Sequence, residues 1–261
     1  MRANDLVSVG TSFSPSGYEQ YGRRFILSFL EYWPANVKLV VAYDGKIPDL
    51  IEDPRITYIA LDDHNDFIRF TETTTHPTHQ GKLKRACDKW TSKAYDAGYN
   101  FRYDAHKFGK KVFGMYRAYM TGKRRYFIWL DADSFTFKHV PYEFILSLFK
   151  PSNSVTRLYR GAGYHSECGF IGFDTLQPVA RLLLFCLKQV YVQHTFVNYA
   201  EWHDSYLFDR LVEELGVHTH DLPHTSTGHP FVNSCLGEYM DHLKGDKRKD
   251  RGASFAEDYI K

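Results

Sequence analysis

Cysteine is scarce in this chain. Cys87, Cys168, Cys186 and Cys235 are far apart in 261 residues, with no Cys-x-x-Cys pair and no dense framework, so reduced thiols are expected rather than a disulfide scaffold. Long apolar runs are lacking as well. None approaches the roughly 20 residues of a membrane span, and residues 1–5 lead into a short strand rather than a signal peptide. A soluble, cytoplasmic protein is the expectation. Charge of one sign is nearly absent at a net +2, so no global field demands nucleic acid or acidic lipid, although local clusters remain. There is no Gly-x-Gly-x-x-Gly and no Gly-x-x-x-x-Gly-Lys-Ser/Thr, which leaves neither a Rossmann dinucleotide site nor a P-loop indicated.

What is present is apolar and aromatic: 43% hydrophobic residues, 16% of all residues aromatic, enough for a substantial core in one large domain. Leu6-Val7-Ser8-Val9-Gly10 reads as a short strand. Residues 18–32 carry Tyr21, Phe25, Phe29 and Tyr32 at helical spacing, and 37–42 and 55–61 give two further strands. This β-α-β start predicts a right-handed unit in a mostly parallel sheet flanked by helices, an α/β fold. From 62 to 104 the pattern loosens: residues 71–79 are polar and turn-forming, and a helix is expected from Gly81 through Ala97. The segment is a candidate acceptor lid or plain surface decoration. His76 and His79 read as solvated loop residues. Residues 104–120 form a clear helix whose Lys107, Lys110 and Arg117 are expected on a solvated basic face, with Lys111 at the apolar boundary. Beyond lie strands at 154–159 and 169–173, a turn at Gly161-Ala162-Gly163-Tyr164, a long helix at 177–193 and another from about 204 to Leu215. We expect one domain over 1–261, with the β-α-β start at 1–61, the insertion at 62–104 and the remainder at 105–261.

The most informative stretch is Tyr126-Phe127-Ile128-Trp129-Leu130-Asp131-Ala132-Asp133-Ser134. Its apolar run suits a central strand covered on both faces, and ligands of open α/β sheets gather at the carboxyl ends of such strands. Two hard oxygen donors there suit Mg²⁺ or Mn²⁺ shared with substrate phosphates. The competing reading is that the Asp pair caps the helix near 141–149. Two further carboxylates interrupt later elements. Glu167 precedes a strand, and Asp204 opens a helix, either as its N-cap or as a catalytic base in a cleft. Near the end, Asp241-His242-Leu243-Lys244-Gly245-Asp246-Lys247-Arg248-Lys249 contains His-x-x-Gly-x-x-Arg inside a basic run.

An Asp-x-Asp followed by a distant C-terminal His resembles the metal-dependent, GT-A-fold glycosyltransferases, and His-x-x-Gly is similar to the segment of the glycogenin and lipooligosaccharide galactosyltransferase branch. Arg248 stands where that branch has Lys, and its following Pro-Trp is absent. The chain resembles more closely the compact glycosyltransferases of phages and some bacteria. Arg102-Tyr103-Asp104-Ala105, Lys111, Asp131-Ala132-Asp133, Glu167-Cys168-Gly169-Phe170 and Trp202-His203-Asp204-Ser205 match in order. The resemblance implies a GT-A-like fold and a nucleotide-sugar donor, a UDP-sugar foremost, in a single catalytic domain whose 1–61 start binds the nucleotide and whose 105–261 half carries the metal and acceptor sites. It implies Mn²⁺ or Mg²⁺ on Asp131, Asp133 and His242, and donor contacts from Thr11, Phe13, Asp44, Lys111, Asp131, Lys244, Gly245 and Arg248. If stereochemistry inverts, Asp204 is the first choice of base and Glu167 the second. The location would be the host cytoplasm if the chain is phage-encoded.

The acceptor is left open. Phage relatives point to a hydroxymethylated pyrimidine in DNA, which Lys82, Lys84, Arg85, 123–125 and 247–251 could follow along a phosphate backbone and which would have to be flipped out of the duplex. A saccharide, lipid-linked or protein acceptor is the alternative. A metal-dependent nucleotidyltransferase could also use Asp-x-Asp, but its donor loop is usually Gly-rich and basic, unlike residues 11–17. A non-catalytic sugar- or nucleic-acid-binding module would not need Asp131, Asp133 and His242 together.

Overall fold

The structure, a computed structural model, describes residues 6–82, 98–161, 163–224 and 228–259, together with the backbone of 85–87 and 94–96. The strands in chain order are β1 (Val7–Phe13), β2 (Lys38–Tyr43), β3 (Ile56–Ala60), β4 (Arg85–Cys87), β5 (Ala94–Asp96), β6 (Tyr126–Leu130), β7 (Ser134–Thr136), β8 (Val155–Arg157), β9 (Phe170–Asp174), β10 (Thr219–Asp221) and β11 (Met240–His242). Seven of them form the central sheet in the order β10-β8-β9-β6-β1-β2-β3. Its pairs are parallel except around β9, which runs against both β6 and β8. The expected α/β class, a mostly parallel sheet flanked by helices, is what the chain forms.

The alternation of side chains along a strand explains why β6 is apolar throughout. Phe127 and Trp129 enter a core shared with the helices Ala105–Gly122, Pro178–Val192 and Asp204–Glu214. Ile128 and Leu130 enter the opposite core, under the helix Arg23–Tyr32. The sheet is therefore buried on both faces, and ligand access is left to its carboxyl edge, where Asp131 follows β6.

Several local expectations are corrected. Residues 71–73 belong to the helix Asn65–Thr73 rather than to a loop, because Phe67 and Phe70 bury against Phe113 and anchor that turn. Of the helix expected over 81–97, residues 85–87 and 94–96 instead form the antiparallel β4–β5 pair and Lys82 is bridged to Tyr99, while 83–84, 88–93 and 97 lie outside the described residues. Alanine and lysine favour helix locally, but the backbone pairing of the two strands wins. The Asp pair caps no helix: the helix Tyr142–Ser147 starts after Pro141. Asp204 is not a cap either. His203 is the N-cap of its helix, accepting from the Tyr206 N–H, and Asp204 is the first helical residue. His79 is not a solvated loop residue; its ring packs among His194, Phe196 and Trp202.

Candidate active site

A cleft of about 1970 Å³ opens at the carboxyl edge of β1, β2 and β6. Its floor is set by two tight connections. Asp131 donates its N–H to the Gly169 carbonyl at 3.0 Å, and Leu243 donates to the Asp133 carbonyl at 2.8 Å. The β7–β11 ribbon pairs Ser134 with His242, so residues more than a hundred positions apart in sequence meet beside the Asp pair. Donor atoms of Asp131, Asp133 and His242 lie within 4.8 Å of one another. His242 Nε2 is 3.2 Å from Asp133 Oδ1, and its Nδ1 is buried without a hydrogen-bond partner. Two carboxylates and an imidazole whose Nε2 faces Asp133, with Nδ1 3.9 Å from Glu167 Oε1, form a donor set that fits Mn²⁺ or Mg²⁺. Gly169 makes the fit possible, because a Cβ there would come within 2.6 Å of the His242 ring.

Charges surround this trio closely. Lys111 Nζ lies 2.7 Å from Asp131 Oδ1 and 2.8 Å from Asp204 Oδ2, and donates to the Cys168 carbonyl at 3.0 Å. Burial works against its charge, but Asp131 and then Asp204 outweigh it and hold the ammonium well above the ordinary lysine pKa. Trp129 Nε1 donates to Asp131 at 2.8 Å. Burial, opposed by Lys111 and reinforced by Asp133, raises the Asp131 pKa. Asp133 moves the other way: burial would raise it, yet His242 and Lys249 hold it far below the usual carboxylate range. Glu167 pairs with Lys244. Burial again opposes, but Lys244 and His242 bring its pKa down to about 2.

The sequence-derived site residues are distributed as follows. Phe13, Asp44, Lys111, Asp131, Asp133, Glu167, Asp204, His242, Lys244 and Gly245 all line the cleft. Thr11 is fully buried within β1, and its neighbours Ser12 and Phe13 line the cleft. Arg248 is tied to Asp258 through Nε and Nη2 and donates from Nη1 to the Lys244 carbonyl, which closes the C-terminal loop on itself. The cation of that run that reaches the Asp pair is Lys249, 3.0 Å from Asp133 Oδ2 and over the Tyr21 ring. Lys249 was visible in the sequence only as one of several basic residues; what singles it out is the short helix Asp246–Arg251.

Lys110 does not sit on a solvated face; it pairs with Asp44 at 2.8 Å and lines the cleft. Arg117 likewise is paired, with Asp66 at 2.7 Å. Lys123 and residues 124–125 lie at the amino end of β6, opposite the Asp pair. The side chains of Lys84 and Arg85 lie outside the described residues. A second cluster lines the cleft beyond Asp204. His203 Nε2 is 2.8 Å from Glu201 Oε2, and His165 Nε2 is 3.6 Å from the same oxygen. Because His203 Nδ1 accepts the Tyr206 N–H, its proton sits on Nε2 and points to Glu201, which suits a hydrogen bond rather than a metal.

No family model matches this chain, and no curated protein matches it. Among solved structures it is similar to the apo form of mouse xyloside xylosyltransferase 1. The identity is 14% and the TM-score 0.46, with 84% of this chain and 85% of that chain covered. Among the described residues, no helix is long and apolar enough to cross a membrane.

Proposed function

We propose that this chain is a metal-dependent glycosyltransferase of the GT-A type, moving a sugar from a UDP-sugar to an acceptor hydroxyl. The observation that carries the reading is the convergence of Asp131, Asp133 and His242, contributed by separate parts of the chain, at the carboxyl edge of a parallel sheet. A divalent ion on those three residues would supply Lewis-acid stabilisation of the diphosphate leaving group.

The chain's own side chains account for the rest. Lys244 and Lys249 flank the Asp pair as cations suited to phosphate oxygens, while Arg248 is engaged by Asp258. An opposite-charge contact near 4 Å is worth on the order of 4 kcal/mol at an effective dielectric of roughly 20, so each such cation matters to the leaving group. Phe13 and Asp44, on the β1 and β2 side of the cleft, fit the base and ribose. Lys111 spans Asp131 and Asp204 and so fixes the separation of the donor side from the acceptor side. In transfer, the acceptor oxygen bonds to the anomeric carbon, and the bond from that carbon to the diphosphate oxygen breaks. The diphosphate leaves with the electron pair. With inversion, the acceptor proton passes to Asp204, whose place at a helix start and against Lys111 keeps its carboxylate fixed.

A thermal-shift panel of nucleoside diphosphates and triphosphates, with and without Mn²⁺, tests the reading. Stabilisation by a diphosphate that requires Mn²⁺ is expected, since a ligand of the native state raises its melting temperature. Stabilisation by triphosphates alone would favour a nucleotidyltransferase.

A further inference from the structure

We propose that the cleft wall formed by His165, Glu201 and His203 with Phe101 and Tyr164 is the acceptor subsite, and that it takes a neutral saccharide. The inference rests on the glycosyltransferase reading and names the substrate class on its acceptor side. Glu201 and His203 lie just before Asp204 in sequence, and the wall lines the same cleft.

Its chemistry is that of a polyol site. The Glu201 carboxylate is held by His203 at 2.8 Å, by His165 at 3.6 Å and by Arg102 at 3.7 Å. Burial opposes its charge, but the two imidazoles hold it ionised far below the usual carboxylate range. An ionised carboxylate accepts from hydroxyls, and His165 and Arg102 beside it donate to them, so vicinal hydroxyls find both partners in one place. Two large aromatic side chains stand open at the same wall, Phe101 at 49% and Tyr164 at 60% exposure. Phe101 packs on His203 with ring centroids 5.4 Å apart and the rings tilted by 55°, which holds the Phe101 ring beside the polar cluster. That pairing of apolar face and polar edge matches a pyranose ring.

Charge disfavours a polyanion there. A fixed carboxylate repels phosphodiesters, and two of the nearby cations are engaged by other carboxylates: Arg157 by Asp209 and Asp221, Arg210 by Glu213. Lys123 and its neighbours, which would follow a DNA backbone, lie at the other end of β6. Backbone tracking needs a continuous cationic path, and at this wall the Glu201 carboxylate stands among the cations.

The test is an array of neutral glycans, with hydroxymethylcytosine duplex DNA as the competing probe, bound by the labelled full chain at low and physiological salt. Retention of one or more neutral glycans is expected, insensitive to salt. Glu201→Gln and Phe101→Ala should each weaken it by about tenfold while leaving UDP binding in Mn²⁺ unchanged; Phe101 is exposed, so its variant keeps the fold. Retention of DNA without any neutral glycan, retention of neither, or glycan binding unchanged in both variants overturns the assignment. Failure of the wild-type chain to bind UDP with Mn²⁺ would instead strike the glycosyltransferase reading itself, whatever the array shows.

Discussion

Lys111 is the side chain on which the most charge depends. It is nearly buried and is shared by Asp131 and Asp204, so Lys111→Met leaves two carboxylates facing each other without their cation. Breaking such a pair by removing one partner costs roughly 3 kcal/mol or more. Urea denaturation of the variant at pH 7 should show a midpoint lowered accordingly, and an unchanged midpoint would mean that water already solvates the pair. Glu167 gives a pH signature. Its pKa falls from 4.5 to about 2 on folding, so the unfolded chain takes up the proton first. The stability it contributes is complete above about pH 4.5 and is lost as the pH drops toward 2. Glu167→Gln should flatten the fall of the urea midpoint between pH 4.5 and 3. At this scale the sequence was partly legible. Asp131, Asp133, Asp204 and His242 stood out because carboxylates and imidazole beside apolar runs are unusual. Lys249 and the His165–Glu201–His203 cluster did not, because their meaning is a matter of partners brought together by folding.

Among the elements, the strands and long helices were readable because each has a clear period. The unbroken buried run of β6 and the stripe of buried positions on Ala105–Gly122 leave a pattern in one dimension. The β4–β5 pair did not, since short strands held by backbone hydrogen bonds carry little side-chain signal. The element that makes the site is the β7–β11 ribbon, whose pairing of Ser134 with His242 no local pattern announces. Its clearance depends on Gly169. Gly169→Ala places a methyl within 2.6 Å of the His242 ring, and such overpacking typically costs 1–3 kcal/mol, about what is expected here. Displacement of the ring should also weaken Mn²⁺ binding, read by titration calorimetry, by more than the same substitution at exposed Gly98. Equal affinities for the two variants would show that His242 is not a ligand.

At the scale of the whole molecule, a sheet covered on both faces confines chemistry to one edge, and the cleft there gathers residues from most of the chain's length. The α/β class followed from the alternation of strand and helix signals. The position of the cleft followed from the rule that ligands collect at carboxyl ends of parallel strands. The side of the cleft that receives the acceptor was not legible, because loops 98–104 and 159–168 have no period and acquire a shared surface only through the fold. The central claim is that Asp131, Asp133 and His242 hold a divalent ion that binds the donor's diphosphate. Calorimetric titration of UDP into the full chain, in Mn²⁺ and then in EDTA, tests it most directly. Binding at least about tenfold tighter in Mn²⁺, a difference of about 1.4 kcal/mol, is predicted, with the gain abolished in Asp133→Ala while circular dichroism stays unchanged. Equal affinity in EDTA, or a gain that survives in Asp133→Ala, would contradict the account.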